Sequence, residues 1–207
     1  MDDGPVVFIK DNDSLNPEGP EGFWKVMVVD DEKSIHDITM TSLKGFMFEG
    51  RGVKFLNAFS GQEAAALFHL HPDTALLIVD VVMETQDAGL DFVHYIREKL
   101  KNHVVQIVIR TGQPGLAPES DVISKYQINA YYSKTELRVQ KLISLFITSL
   151  RTFDISVKLE AELEKRREAE QELISLNKTL EKKSRGEDPA ACPGQPVEKP
   201  VPGQCEP

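Results

Sequence analysis

The chain has 207 residues, 41% of them hydrophobic and 28% charged, with a formal net charge of −9. That is the composition of a soluble globular protein with one domain plus appendages, and its acidity argues against general nucleic-acid binding, which needs Lys and Arg to displace counterions. No apolar run approaches the ~20 residues of a membrane span, and the start MDDGPVV lacks the basic-then-apolar pattern of a secretion signal, so the expected compartment is the cytoplasm.

Residues 1–22 are acidic and rich in Pro and Gly and are expected to stay disordered. The first strand-length apolar run is Lys25–Val29 (KVMVV), which ends in Asp30-Asp31 and leads into a helical pattern over Glu32–Lys44. Val53–Ala58 and Ala75–Val79 follow as strands, separated by a helix over Gly61–Leu70. The run ALLIV ends in Asp80. In Gly89–Leu100, Leu90, Val93 and Ile96 share one stripe with charge opposite, the pattern of an amphipathic helix. Strand Val104–Ile109 continues through Arg110 to Thr111. A helix over Pro118–Gln127 leads to the last strand, Asn129–Tyr132, followed by Ser133-Lys134. Apolar strands alternating with helices predict a doubly wound α/β domain with a five-stranded parallel sheet covered on both faces.

The pattern turns helical from Glu136. Beyond residue 153 it becomes strongly charged, and Leu159, Leu163, Leu173 and Leu180 recur at a 3.5-residue period. Residues 154–183 read as a helical extension, either a coiled coil or a solvated charged helix, because Arg166, Glu170 and Asn177 hold other seam positions. The Pro-rich remainder, 184–207, holds six of the 12 prolines and is expected to be a disordered tail. Both cysteines, Cys192 and Cys205, lie in it without a nearby His, which argues against a zinc site or disulfide framework.

In an open parallel sheet, ligands bind outside the carboxyl ends of the strands. Those ends carry Asp30-Asp31, Asp80, Thr111 and Lys134. Each has an ordinary reading alone: a helix cap, a strand-end turn, a loop hydroxyl, a surface amine. Together they describe one site. Clustered carboxylates raise one another's pKa unless a cation neutralises them. All-oxygen donors favour Mg²⁺, which takes one or two carboxylates and keeps room for phosphate oxygens. With Lys134 adding positive charge, Asp80 can act as a nucleophile toward phosphorus, and Thr111 can donate to an equatorial oxygen. The five histidines show no metal-site spacing, and His36 reads as a surface residue near the acid pair.

The motifs VVDDE (28–32), LIVDVVM (77–83), IRTGQ (109–113) and YYSK (131–134) resemble the receiver domain of two-component response regulators, with its flavodoxin-like fold, over residues 23–153. The resemblance implies Asp80 as phosphoacceptor, with Asp30 and Asp31 on Mg²⁺ directly or through water and the Val82 backbone carbonyl as a further ligand. It also implies Thr111 and Tyr131 as the switch pair, although a partly buried strand tyrosine is the other reading of Tyr131. Two departures stand out: Glu84, where the family has Pro after Met, in a loop one residue longer than usual, and Thr135, where it has Pro after Lys. VVMETQDAGL with RTGQPG looks like receivers found upstream of cyclic-diguanylate modules or histidine kinases.

The expected function is a signalling phosphoacceptor, fed by a histidine kinase or phosphotransfer protein and catalysing only its own phosphorylation and dephosphorylation. The signal would pass through a conformational switch to the C-terminal helix, with a homodimer through that helix as the expected assembly; direct nucleic-acid binding and membrane insertion are not expected. A nonphosphorylated receiver-fold adaptor and a truncated remnant of a larger signalling protein are the alternatives. An Asp-nucleophile phosphatase would carry Asp rather than Val at position 82, and no P-loop pattern occurs.

Overall fold

The computed structural model describes residues 6–8, 22–112, 119–134, 136 and 139–184. The chain divides into two units, Met1–Leu159 and Glu160–Pro207. Cys192, Cys205, Pro118, Thr135 and residues 185–207 of the tail expected to be disordered lie outside the described residues, as does most of the N-terminal segment; Ser184, expected in that tail, is helical.

Five parallel strands run in the spatial order β4 (Arg51–Ala58), β2 (Trp24–Val29), β5 (Leu76–Val79), β6 (Gln106–Thr111) and β7 (Ala130–Ser133). These are the five strands expected, and β5 and β6 are buried along their whole length. Helices α1 (Lys33–Ser42), α2 (Gly61–Leu70), α3 (Ala88–His94) and α4 (Glu119–Tyr126) connect them. From central β2 the chain goes outward to β4, then returns across the sheet to β5. This reversal opens a crevice at the carboxyl ends of β2 and β5.

Two strands go beyond the five expected. β3 (Phe46–Phe48) pairs antiparallel with β4, and β1 (Val6–Phe8) pairs antiparallel with β3, giving a seven-stranded mixed sheet among the described residues. Val6–Phe8 is therefore a strand inside the segment read as disordered. The β3–β4 hairpin closes through Glu49 and Gly50, with φ of 50° and 73°. Two successive left-handed residues make the tight turn whose twist matches its flanking strands. Phe46 and Phe48 are buried while Met47 is less so, a period-2 pattern in only three residues. That is too short to separate from the helix before it.

One sheet face packs Val29, Val79, Ile107 and Ile109 against Phe68 of α2 and Phe92 of α3. The other packs Val26, Ile78 and Val108 against Leu142, Phe146 and Leu150 of α5 (Val139–Ser184). Within Glu160–Ser184 every side chain is exposed. Among the described residues no helix is long and apolar enough to cross a membrane.

The expected helix 89–100 is interrupted: α3 passes into a π-helical turn over Tyr95–Lys99, closed by Leu100 N–H to Tyr95 O at 3.1 Å. The wider turn points Arg97 inward. Its guanidinium donates to the carbonyls of Asn102 (2.8 Å), Val105 (3.0 Å) and Gln127 (3.1 and 3.2 Å). Burial pushes this group down to about 10, far enough above neutrality for it to stay charged. Arg97→Leu leaves three carbonyls without a donor. It is expected to cost about 1–3 kcal/mol in urea unfolding; no loss would mean that solvent already serves those carbonyls.

Candidate functional site

Backbone pairing continues one residue past β2 and β5. Asp30 N–H donates to Ala58 O at 3.1 Å, and Asp80 N–H donates to Val29 O at 2.8 Å. This sets the two carboxylates side by side at the crevice. Both are nearly buried, Asp30 at 2% and Asp80 at 4% exposure, whereas Asp31 is exposed.

Asp30 is held from three sides. Glu32 N–H donates to its Oδ1 at 3.0 Å, Lys134 reaches its Oδ2 at 3.2 Å, and His36 Nε2 meets its main-chain carbonyl at 2.7 Å. A carbonyl only accepts, so Nε2 carries the proton. His36 is thus not the surface residue expected from the sequence: it is 1% exposed, with Nδ1 3.0 Å from the Asn57 side-chain amide and its ring 4.5 Å from that of Phe59. The sequence places it one helical turn after the acid pair but does not show that β4 supplies a partner for its other nitrogen.

Lys134 is the hub. Its Nζ lies 2.8 Å from Asp80 Oδ2, 3.2 Å from Asp30 Oδ2 and 2.8 Å from Glu32 Oε1. Its backbone N–H donates to Thr111 O at 2.7 Å, tying the residue after β7 to the end of β6. Burial works against the ammonium, but hydrogen bonds to Asp80 and Glu32, with the charges of Asp80 and Asp30, outweigh it and raise its pKa. The Lys134 hydrogen bond lowers Glu32. Asp80 moves upward: desolvation dominates, Asp30 adds to it, and Lys134 offsets only part. One ammonium shared among three carboxylates leaves the site short of positive charge.

The deficit has an address. Asp80 Oδ1 is buried and has no hydrogen-bond partner among the described residues. One carboxylate oxygen each from Asp30, Asp31 and Asp80 lies within 4.8 Å of the others. Hard oxygen donors so placed fit a small divalent cation, and Mg²⁺ takes such a set while keeping waters of its own.

Thr111 is buried at the carboxyl end of β6, opposite Ser133 of β7. Tyr131, opposite Ile109, is half-buried and packs at the margin of the core that holds α2 and α3. Val82 is half-buried, two residues beyond Asp80. Glu32 is a further participant through its contact with Lys134, and its only signal in the sequence is its place in VVDDE.

The departure at Glu84 also acquires a contact. Ser60 Oγ accepts from Glu63 N–H (3.1 Å) and Glu63 Oε2 accepts from Phe59 N–H (2.8 Å), a reciprocal cap on α2. Glu84 Oε1 accepts from Gly61 N–H at 2.8 Å, another amide of that first turn. The loop after Asp80 is therefore pinned to α2 by a carboxylate where the resembled family carries a proline. Below it, Gly89 N–H donates to Val81 O at 3.1 Å.

No family model matches the chain. Over 130 residues, 63% of its length, it is 48% identical to 3'3'-cGAMP-specific phosphodiesterase 2 of Vibrio cholerae serotype O1, and it spans a quarter of that protein's length. Its structure is similar to the CheY-like response regulator receiver domain protein of Methanospirillum hungatei JF-1 (TM-score 0.52, 20% identity, 65% of this chain and 99% of that one). It is also similar to the chemotaxis protein CheY4 of Vibrio cholerae (TM-score 0.51, 23% identity, 62% and 100%). The signal receiver domain of a Luxo repressor protein from Vibrio parahaemolyticus aligns at TM-score 0.54 with 16% identity, over 67% and 98%. The α/β unit has the fold of a response regulator receiver domain.

Proposed function

We propose that this receiver-fold chain accepts a phosphoryl group on Asp80 from the phosphohistidine of a histidine kinase or phosphotransfer protein. The observation that carries the reading is the state of the Asp80 carboxylate, with one oxygen 2.8 Å from Lys134 and the other buried, unpartnered and close to Asp30 and Asp31. A carboxylate oxygen attacks phosphorus, the P–N bond to the donor imidazole breaks with its electron pair leaving on nitrogen, and an acyl phosphate forms. Held by Asp30, Asp31, Asp80 and the Val82 carbonyl, Mg²⁺ would supply the positive charge this transfer needs. Lys134 orients the acceptor, and the Thr111 hydroxyl is the donor for a phosphoryl oxygen. The chain performs no other chemistry in this reading and is a signalling module rather than an enzyme. It works in the cytoplasm without binding nucleic acid.

Acetyl phosphate with Mg²⁺ is expected to label the wild type; no labelling with or without metal would favour a docking adaptor that is never phosphorylated. The likeness to part of a cGAMP-specific phosphodiesterase supports a place for this receiver in cyclic-dinucleotide signalling.

The output we propose runs from Thr111 and Tyr131 to α5. An aspartyl phosphate adds charge and acceptor oxygens that draw Thr111 toward it, and Tyr131 follows on the neighbouring strand. Leu159, Leu163, Leu173 and Leu180 are 46–62% exposed in the single chain, at the spacing of a two-stranded seam, with Asn177 at a seam position that sets register. Single cysteines replacing Leu163 or Leu173 are expected to crosslink between copies at a yield that changes at least twofold on phosphorylation; an unchanged yield removes this route.

A further inference from the structure

β6 alternates its side chains between the two sheet faces, so Arg110 shares a face with Val108, which packs against α5. The same alternation carries Asp80 onto the face of Ile78, and the register Val79↔Ile109 makes Asp80 and Arg110 lateral neighbours. Arg110 is 7% exposed, and its Nε is buried without a hydrogen-bond partner among the described residues. Its charge is felt by Asp30, Asp80 and Glu32, which counter the lowering that burial imposes on its pKa. Yet the close contacts of those carboxylates go to Lys134, at 2.8–3.4 Å. Two buried atoms without a partner among the described residues, Arg110 Nε and Asp80 Oδ1, therefore belong to residues that follow paired positions on adjacent strands. A buried guanidinium N–H without an acceptor is costly to keep, and the planar fork of this side chain matches the paired oxygens of a phosphoryl group.

We propose that Arg110 is a second anion-binding group of this site, donating to the oxygens of a phosphoryl group on Asp80. This rests on the reading of Asp80 as phosphoacceptor and adds a cation to Lys134 and the metal. The guanidinium is held in place before the anion arrives, so its contacts strengthen as charge builds on those oxygens. It retains the group on Asp80 as well as helping to receive it.

The test is titration of the full chain with beryllium fluoride in the presence of Mg²⁺, followed by ¹⁹F NMR, for wild type, Arg110→Met and Arg110→Lys. Wild type is expected to bind, Arg110→Met at least tenfold more weakly, and Arg110→Lys in between, with the resonance of at least one bound fluoride displaced in both variants. A structural role would instead lower the melting temperature of the anion-free protein and leave affinity and fluorine shifts unchanged. Wild-type binding with equal affinity in Arg110→Met overturns the inference and leaves Asp80 as acceptor; failure of the wild type to bind overturns both. Should Arg110→Met not fold, Arg110→Lys decides alone: threefold or more weaker binding supports the contact, and wild-type affinity with unmoved resonances overturns it.

Discussion

Asp80→Asn is expected to abolish labelling by acetyl phosphate and capture of beryllofluoride, by at least two orders of magnitude. The amide nitrogen cannot form an acyl phosphate, and Asn supplies one neutral oxygen where the site needs a carboxylate for both Lys134 and a cation. Loss of labelling alone would also follow from a collapsed fold, so the second half of the result matters. Without divalent cation at neutral pH, the ionised Asp80 is disfavoured chiefly by its burial, and the Asp30 charge adds to that. An uncharged isostere removes that penalty, while Lys134 keeps its contacts to Asp30 and Glu32. The variant is therefore expected to unfold at equal or higher urea concentration than wild type, with a gain of up to about 1–2 kcal/mol, as is common where a functional group is held at a cost to stability. Labelling of the variant at the wild-type rate would move the acceptor elsewhere and end the reading. A variant that is both unlabelled and several kcal/mol less stable would instead make Asp80 a structural residue.

The parts of the site that the sequence displays are those fixed by strand periodicity. Apolar runs announce β2, β5 and β6, and whatever follows such a run must emerge at the carboxyl edge; hence Asp30, Asp80 and Thr111 could be placed without coordinates. The parts it conceals depend on reach between elements distant in sequence. Glu32 is reached by Lys134 from 102 residues away. His36 is buried because β4 brings Asn57 to one nitrogen while the Asp30 carbonyl holds the other. Arg110 reads as one more polar residue at a strand end until the register sets it beside Asp80. The β3–β4 hairpin escapes notice because three residues hold too little alternation to outweigh the helical pattern that precedes them.

Gly89→Ala is expected to break both the fold and the site. In an exposed helix interior, glycine to alanine normally stabilises by about 1 kcal/mol through backbone entropy. Here a Cβ would stand 1.8 Å from Asp80 O, 2.8 Å from its carbonyl carbon and 3.1 Å from Val79 Cγ1. The nearest obstacles are main-chain atoms, so no rotamer change relieves the clash, and α3 or the end of β5 must move by more than an ångström. Overpacking of a well-packed interior costs about 1–3 kcal/mol and occasionally more; a contact this short against backbone belongs at or beyond the upper end. The crowded carbonyl is that of Asp80 itself, so the molecules that stay folded should also label at least tenfold more slowly with acetyl phosphate. Urea unfolding gives the first quantity, and single-turnover labelling normalised to the folded fraction gives the second. A stabilised Gly89→Ala protein would show that α3 does not approach Asp80 this closely. A destabilised one that labels at the wild-type rate would show that the strain is absorbed by α3 and that the acceptor's position does not depend on this glycine.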